Sequence, residues 1–285
     1  MKKGAWILAL SLSFSALAEE PCDLDTVPCQ PVSSWQFSLA FGYGQIDNPL
    51  QGGTDFPLYV VPHVSYYGEK WFLENTEIGY TFSEHASFDV SAIVALNRQA
   101  AYFHRYHPSN VFAGFNDGAL LVSDHEKTLP ISVKTVAKRS LAVDAGLLMH
   151  WYPNDANKVR LTWLHDISGV YQGNHVDLNA THYFKSVFSQ DDTLALGLGL
   201  SYQSAHLNNY YFGIGERDTN NPFDYIQLGS GVAYTTGISY RKPISPSLNL
   251  NVTLNYKKLN SAMVSSPLVV KSQTLDYFVS VSYAF

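Results

Sequence analysis

The chain has 285 residues, 46 % hydrophobic and only 15 % charged, and a formal net charge of −6. That balance disfavours nucleic acid or anionic lipid as a primary partner, because both require a basic surface. Aromatic residues reach 14 %, with 19 Tyr, a composition that suits a protein with aromatic girdles at two membrane interfaces.

The first residues have the three parts of a secretory leader: Lys2 and Lys3, an apolar run over residues 5–14, and Ala16-Leu17-Ala18 before Glu19. Cleavage is expected between Ala18 and Glu19. It removes two of the 18 basic residues and none of the 24 acidic ones, moving the formal charge to −8. Cys22 and Cys29 follow in a Pro-rich stretch, and in an oxidising exported compartment they are expected to form a small local disulfide. A metal site would need further ligands at regular spacing, and none stands nearby. Residues 19–33 are thus assigned to a periplasmic tail and residues 34–285 to the folded body.

Past the leader the apolar runs are about five residues long, as in residues 92–96, far short of the ~18 that a membrane helix needs. The apolar residues instead alternate. Trp35, Phe37, Leu39, Phe41 and Tyr43 share one parity, and Leu58, Val60, Val64 and Tyr66 another, with Pro62 interrupting the ladder. Glu74 falls on the parity of Phe72 and Ile78, so residues 57–82 predict a bulge or a projecting segment rather than two clean crossings. A turn at Ser83 to His85 precedes Phe88, Val90, Ala92, Val94 and Leu96. Residues 98–137 read as a long polar connection.

The same alternation runs through Leu141 to Trp151, Val159 to Trp163, Val176 to Ala180, Leu194 to Tyr202 and Val232 to Tyr240. It is cleanest in Leu248 to Tyr256 and in Leu275 to Phe285. Ala195, Gly197, Gly199 and Ser201 share the minor face of one strand and suit a crowded interior.

Alternation alone fits a soluble sandwich or a membrane barrel. The connections decide. Short ones near 83–85, 153–157, 185–192 and 243–247 alternate with long ones at 98–137, 168–174, 203–228 and 259–273, as in outer-membrane barrels. The predicted fold is an all-β transmembrane antiparallel barrel of the outer membrane, both termini periplasmic. An even strand number follows from those termini. Ten strands are favoured, because three crossings of about nine residues fit poorly within residues 57–82, and twelve is the alternative.

Asp89, Asp144, His150, Arg160, Asp177 and Lys257 fall on the inward parity and either line a pore or pair with one another. A ten-stranded barrel is narrow, which favours a packed, hydrogen-bonded lumen. Ten histidines invite a rim-hydrolase hypothesis around His165, Asp166, His175 and Ser168. His165 and Asp166 are adjacent, so on a strand they face opposite ways and cannot work as a pair. Polar loop residues in water are the favoured reading. His104 and His107 are three apart, but Pro108 and the lack of a third ligand weigh against a metal site. No catalytic, cofactor or metal residue is therefore assigned.

Residues 208–225, NNYYFGIGERDTNNPFDY, resemble the Tyr-Tyr-Phe-Gly segment of the MltA-interacting protein A/OmpV family of outer-membrane proteins. Residues 57–67 (PLYVVPHVSYY) with Gly79-Tyr80, the run DISGVYQG over residues 166–173, and Ser266-Pro267-Leu268-Val269 ahead of a final strand ending in Tyr-x-Phe agree with it. Residues 19–33 and 98–137 have no counterpart in the family. The resemblance implies an outer-membrane barrel with no catalytic set, and a structural or scaffolding role between a lytic transglycosylase and a murein synthase. An adhesin, a stress-response small-solute porin or a rim hydrolase are the alternatives. Tyr283 and Phe285 are expected to form the C-terminal signal read by the outer-membrane assembly machinery, and outer-membrane lipid is the expected surrounding.

Overall fold

A computed structural model describes residues 33–104, 107–112 and 131–285. The expected leader with its cleavage point at Ala18 and Glu19, and the Cys22–Cys29 disulfide, lie outside the described residues.

Twelve antiparallel strands close into one barrel. They are β1 (Ser34–Ile46), β2 (Phe56–Tyr67), β3 (Trp71–Glu74), β4 (Glu77–His85), β5 (Phe88–Leu96), β6 (Val143–Asn154), β7 (Asn157–Asp166), β8 (Asn174–Lys185), β9 (Thr193–Gln203), β10 (Gly231–Ser245), β11 (Leu248–Lys258) and β12 (Gln273–Ala284). Each pairs with its sequence neighbours, and β12 returns to β1 with Ser38 opposite Ala284 and Gln45 opposite Tyr277.

The favoured ten strands are thus corrected to twelve, the alternative. Residues 56–85 hold three strands because β3 has only four residues and is joined to β4 by Asn75 and Thr76 alone. The hairpin also resolves the parity conflict. Glu74 pairs with Glu77, so parity flips at the turn: Glu74 and Phe72 face inward while Ile78 is exposed outside. A second correction concerns Leu58, which is buried inside: Tyr59 and Val60 are both exposed, so β2 breaks its alternation there, at the point where its register with β1 shifts between Phe41 and Gly44. The turn expected at Ser83 to His85 is also displaced, since β4 runs to His85 and turns at residues 86–87.

The outside of the barrel carries the apolar rows. Leu147, Leu161, Leu178, Leu198, Ile238 and Val279 are exposed on it. Trp35, Trp71 and Trp151 are exposed near the end with the short turns, and near the other end Tyr59 and Tyr277 each put a ring centroid 6.1 Å from that of Tyr43 on the strand between them. These rows do not meet one another in a sealed interior, so hydrocarbon is the solvent that they match.

The inside is polar and crowded. Asn179 lies over Gly199 and Asn255 over Gly237, so a Cβ at either glycine would meet the amide oxygen at 2.6 or 1.8 Å. The inward residues singled out by parity pair as a packed lumen requires: Arg160 with Glu77 at 2.7 Å, His150 with Asp89 at 3.2 Å, and His175 with Asp144 and Asp177. Lys257 bonds the Tyr102 hydroxyl.

Closure depends on close backbone contact at the β1–β12 seam, where a Cβ on Gly42 would lie 2.1 Å from the Val279 carbonyl oxygen. Backbone cannot yield as a flexible side chain does. Gly42→Val is expected to cost at least about 1–3 kcal/mol and to deplete the compact form whose gel mobility changes on boiling. A wild-type proportion of that form would contradict the tight seam.

Candidate functional site

The long connections leave the barrel at one end and fold into a cap. Its buried core joins Leu50, Tyr171, Leu207, Tyr211, Phe212 and Met263, drawn from four separate connections. This core was not foreseen. Residues 98–137 read as polar, and the Tyr-Tyr-Phe-Gly segment read as loop.

The Tyr-Tyr-Phe-Gly segment ends a helix, α2 (Ala205–Phe212), seated in the middle of the cap. Ser204 caps it by accepting from the Leu207 N–H, and the same hydroxyl accepts from the Asn174 N–H at 3.0 Å. Tyr211 and Phe212 are fully buried. Gly213 closes the helix in extended backbone, so left-handed freedom is not what it supplies. Space is: a Cβ there would lie 2.6 Å from the Asn209 carbonyl oxygen.

Arg139 holds this segment from beneath. Its buried guanidinium donates to the carbonyls of Tyr211 and Gly213 at 3.1 Å each, to that of Ala137 at 2.9 Å, and to both Asp218 carboxylate oxygens at 2.8 and 3.3 Å. Asp218 also accepts from the Ala137 and Gly215 N–H groups. Burial pushes the Asp218 carboxyl upward, but the Arg139 hydrogen bonds and charge, with those N–H groups, outweigh it and hold the carboxyl below its usual range. The Glu-Arg-Asp run of the family-like segment thus ends in the buried anchor.

Two other shared motifs, DISGVYQG and Ser-Pro-Leu-Val, serve the same cap. Asp166 accepts from the Ser168 N–H and hydroxyl through Oδ1 and from the Tyr171 and Gln172 N–H groups through Oδ2, which folds residues 167–173 into a compact loop. Gly169 sits at φ +72°, where only glycine is unstrained. Ser266 donates to the Phe212 carbonyl at 2.5 Å, Leu268 is buried, and Val269 bridges to Leu50.

Where the barrel meets the cap, the His175 Nδ1 lies 2.9 Å from Asp177 and its Nε2 3.1 Å from Asp144. Asn97 donates to the same Asp144 at 2.6 Å and to the Tyr171 hydroxyl at 3.3 Å. With a carboxylate on each ring nitrogen, the imidazole serves best as a doubly protonated cation.

The residues considered for hydrolysis are not brought together. His165 is exposed on the outer face while Asp166 is buried and committed to its loop, as strand parity requires. The Ser168 hydroxyl donates to Asp166 and accepts from the Val143 N–H. His104 contacts the Arg139 carbonyl, and His107 caps a short helical turn, α1 (Pro108–Val111), by accepting from the Ser109 N–H at 3.0 Å. Among the described residues no three His, Cys, Asp or Glu side chains form a metal-binding group.

Two outcomes follow. Arg139→Ala strands a buried carboxylate, which is expected to cost about 3–5 kcal/mol and to expose residues 204–230 to protease while heat-modifiable mobility persists. Arg139→Met with Asp218→Leu is expected to restore protection. Burial, then the charges of His104 and Arg98, lower the His107 pKa from 6.5 to about 4. The unfolded segment therefore binds the proton more tightly. The contribution of His107 to local stability is full above 6.5 and falls as pH drops towards about 4, which amide exchange across residues 98–112 at the two pH values will read.

The chain was compared with known proteins. The family model described as MltA-interacting protein MipA matches residues 39–285. Outer membrane protein Omp26La of Vibrio anguillarum and OmpV of Vibrio cholerae are each 29 % identical over 154 residues, covering 54 % of this chain. The match spans 58 % of the length of each of these two relatives. The outer membrane protein YiaT of Escherichia coli K12 is 20 % identical over 255 residues, 88 % of this chain and 91 % of the relative. The fold and these relatives place the protein in the outer membrane, and the matched length makes it a member of the MltA-interacting protein MipA family.

Proposed function

We propose that this protein is a non-enzymatic outer-membrane barrel that holds cell-wall enzymes at the membrane, with its short turns and both termini facing the periplasm and its cap facing outward. The observation that carries this reading is the cap. Residues of three segments that resemble the family contribute to a buried core, and Asp218 of one of them pairs with Arg139, which ties the long connections together over the barrel end. Such a plug favours a rigid holder over a diffusion channel.

The reactive side chains are also spent on structure. Asp166 and Ser168 fold a loop, and His175 bridges two carboxylates. The family name points to a lytic transglycosylase of the MltA kind as one partner, and the family resemblance implies a murein synthase as the second.

Crosslinking in intact envelopes followed by affinity capture is expected to enrich a lytic transglycosylase and a murein synthase. Capture without either enzyme overturns the scaffold. In planar bilayers the purified protein is expected to show no steady conductance, and a stable ohmic step would favour the solute-porin reading. Alanine at His165, Asp166 and His175 is expected to leave envelope lipid composition unchanged. Loss of a defined deacylated lipid in those variants would favour the hydrolase.

A further inference from the structure

One short connection is built unlike a turn that faces water. Between β8 and β9, residues 186–192 (SVFSQDD) close on a single carboxylate, that of Asp192, which is 1 % exposed. Its Oδ1 accepts from the Val187 N–H at 2.7 Å. Its Oδ2 accepts from the Phe188 and Ser189 N–H groups at 3.0 and 2.7 Å, and from the hydroxyls of Ser189 and Tyr240 at 3.1 Å each. The Ser186 N–H donates to the Asp192 carbonyl at 2.8 Å. Ser186 and Asp191 take φ of +55° and +66°, backbone that a residue with a side chain rarely adopts. The hydrogen bonds to Asp192 over-determine that backbone, so the loop has one shape.

The loop closes on the outside of the wall rather than over the barrel mouth. Tyr240 shares its parity with Tyr234 and Ile238, which are exposed on the outer face, whereas Ala233 on the other parity is buried and Gly237 lies under the inward Asn255. Tyr240 pairs with Leu194, so Asp192, two residues earlier, continues the same outer row. Phe188 packs edge-on against the Tyr240 ring, with centroids 5.6 Å apart. The rest of its ring is open. Phe188 is 75 % exposed, and Val187 beside it, Phe184 on β8 and Ile244 on β10 are exposed as well.

We propose that residues 186–192 form a lipid clasp, a preformed loop that folds back over the outer wall at β8 to β10 and sinks Val187 and Phe188 among the acyl chains of the bilayer at its short-turn boundary. Continuity identifies the occupant. The loop extends the outer row of Leu196 and Leu198, which is already matched to hydrocarbon, and it buries under itself the one carboxylate that this row would otherwise show to lipid. Turns in water put Gly, Pro, Asn, Asp or Ser at their tips, whereas here five hydrogen bonds to one side chain hold a phenyl ring outward. Lys242, the next outward position after Tyr240, is exposed, and its stem can lie along the wall while the ammonium meets lipid phosphate. A loop fixed before it inserts loses little freedom on insertion, so its apolar tip sets how deep this end of the barrel sits.

The test places the photocrosslinking residue p-benzoylphenylalanine, in the full-length protein in intact envelopes, at Phe188, at Leu198 in the middle of the wall, and at Asp155, exposed on the short turn between β6 and β7. After irradiation, mass spectrometry is expected to find acyl-lipid adducts at 188 as at 198, with at least about fivefold less at 155. Asp192→Ala, which unfastens the loop, is expected to lower the adduct at 188 by at least about fivefold and to open residues 186–192 to protease. Heat-modifiable mobility reports that the barrel itself is closed. Tyr240→Phe removes one of the five bonds, keeps the ring contact and is expected to retain most of the adduct, so the comparison stands if Asp192→Ala fails to assemble. Adducts at 188 to protein rather than lipid, a lipid yield there no higher than at 155, or an unchanged yield in closed Asp192→Ala barrels would each overturn the proposal.

Discussion

The structure depends on one constraint: in hydrocarbon, a backbone N–H or C=O without a partner costs several kcal/mol, so the ladder must close on itself. The β1–β12 seam meets that demand by bringing backbones together so closely that Gly42 and Gly44 leave no room for a Cβ. Once the ring is closed, every side chain has only two environments. The outer one selects Leu, Val and aromatics, and the inner one selects groups that hydrogen-bond. Glycines opposite Asn179 and Asn255 show how little space the inner environment leaves.

The cap obeys a different rule. It lies beyond the sheet, so its carbonyls and N–H groups are satisfied one by one, by Ser204, Asp166, Asn260, Ser266 and above all Arg139. A buried ion pair is weak support for stability by itself, because desolvation cancels much of the attraction. Here it does something more specific. One guanidinium fixes the carbonyls at the end of α2 and the carboxylate of Asp218 at once, which defines how residues 137–139 lie against residues 211–218. Three of the segments that resemble the family, within 166–173, 208–225 and 266–269, are therefore cap segments, and their chemistry is that of a joint, whereas residues 57–67 and Gly79-Tyr80 belong to the barrel wall.

The two regimes meet at the rim. His175 joins β6 and β8 through Asp144 and Asp177, and Asn97 carries the same carboxylate to Tyr171, which packs 6.0 Å from Tyr211. Barrel and cap are thus coupled through hydrogen-bonded side chains. Beside β2, β3 stops after four residues, and among the described residues the short helix α1 packs on β2.

What residue order alone determined was whatever has a period of two. The inward and outward faces of β1, β5 to β12, the pairing partners of the inward charges as a class, the opposed faces of His165 and Asp166, and the alternation of short and long connections all follow from local geometry. Strand count escaped because a two-residue turn at Asn75 and Thr76 resets parity, and nothing nearby announces it. The inward face of Leu58 escaped because β2 breaks its alternation at Tyr59 and Val60, where its register with β1 shifts. Only the tertiary structure could reveal the cap. Arg139 meets Asp218 across 79 residues and Asn97 meets Asp144 across 47, and such contacts are chosen by where closure of the ring puts the connections. Local periodicity names a side chain's environment, whereas its partner is a property of the closed chain.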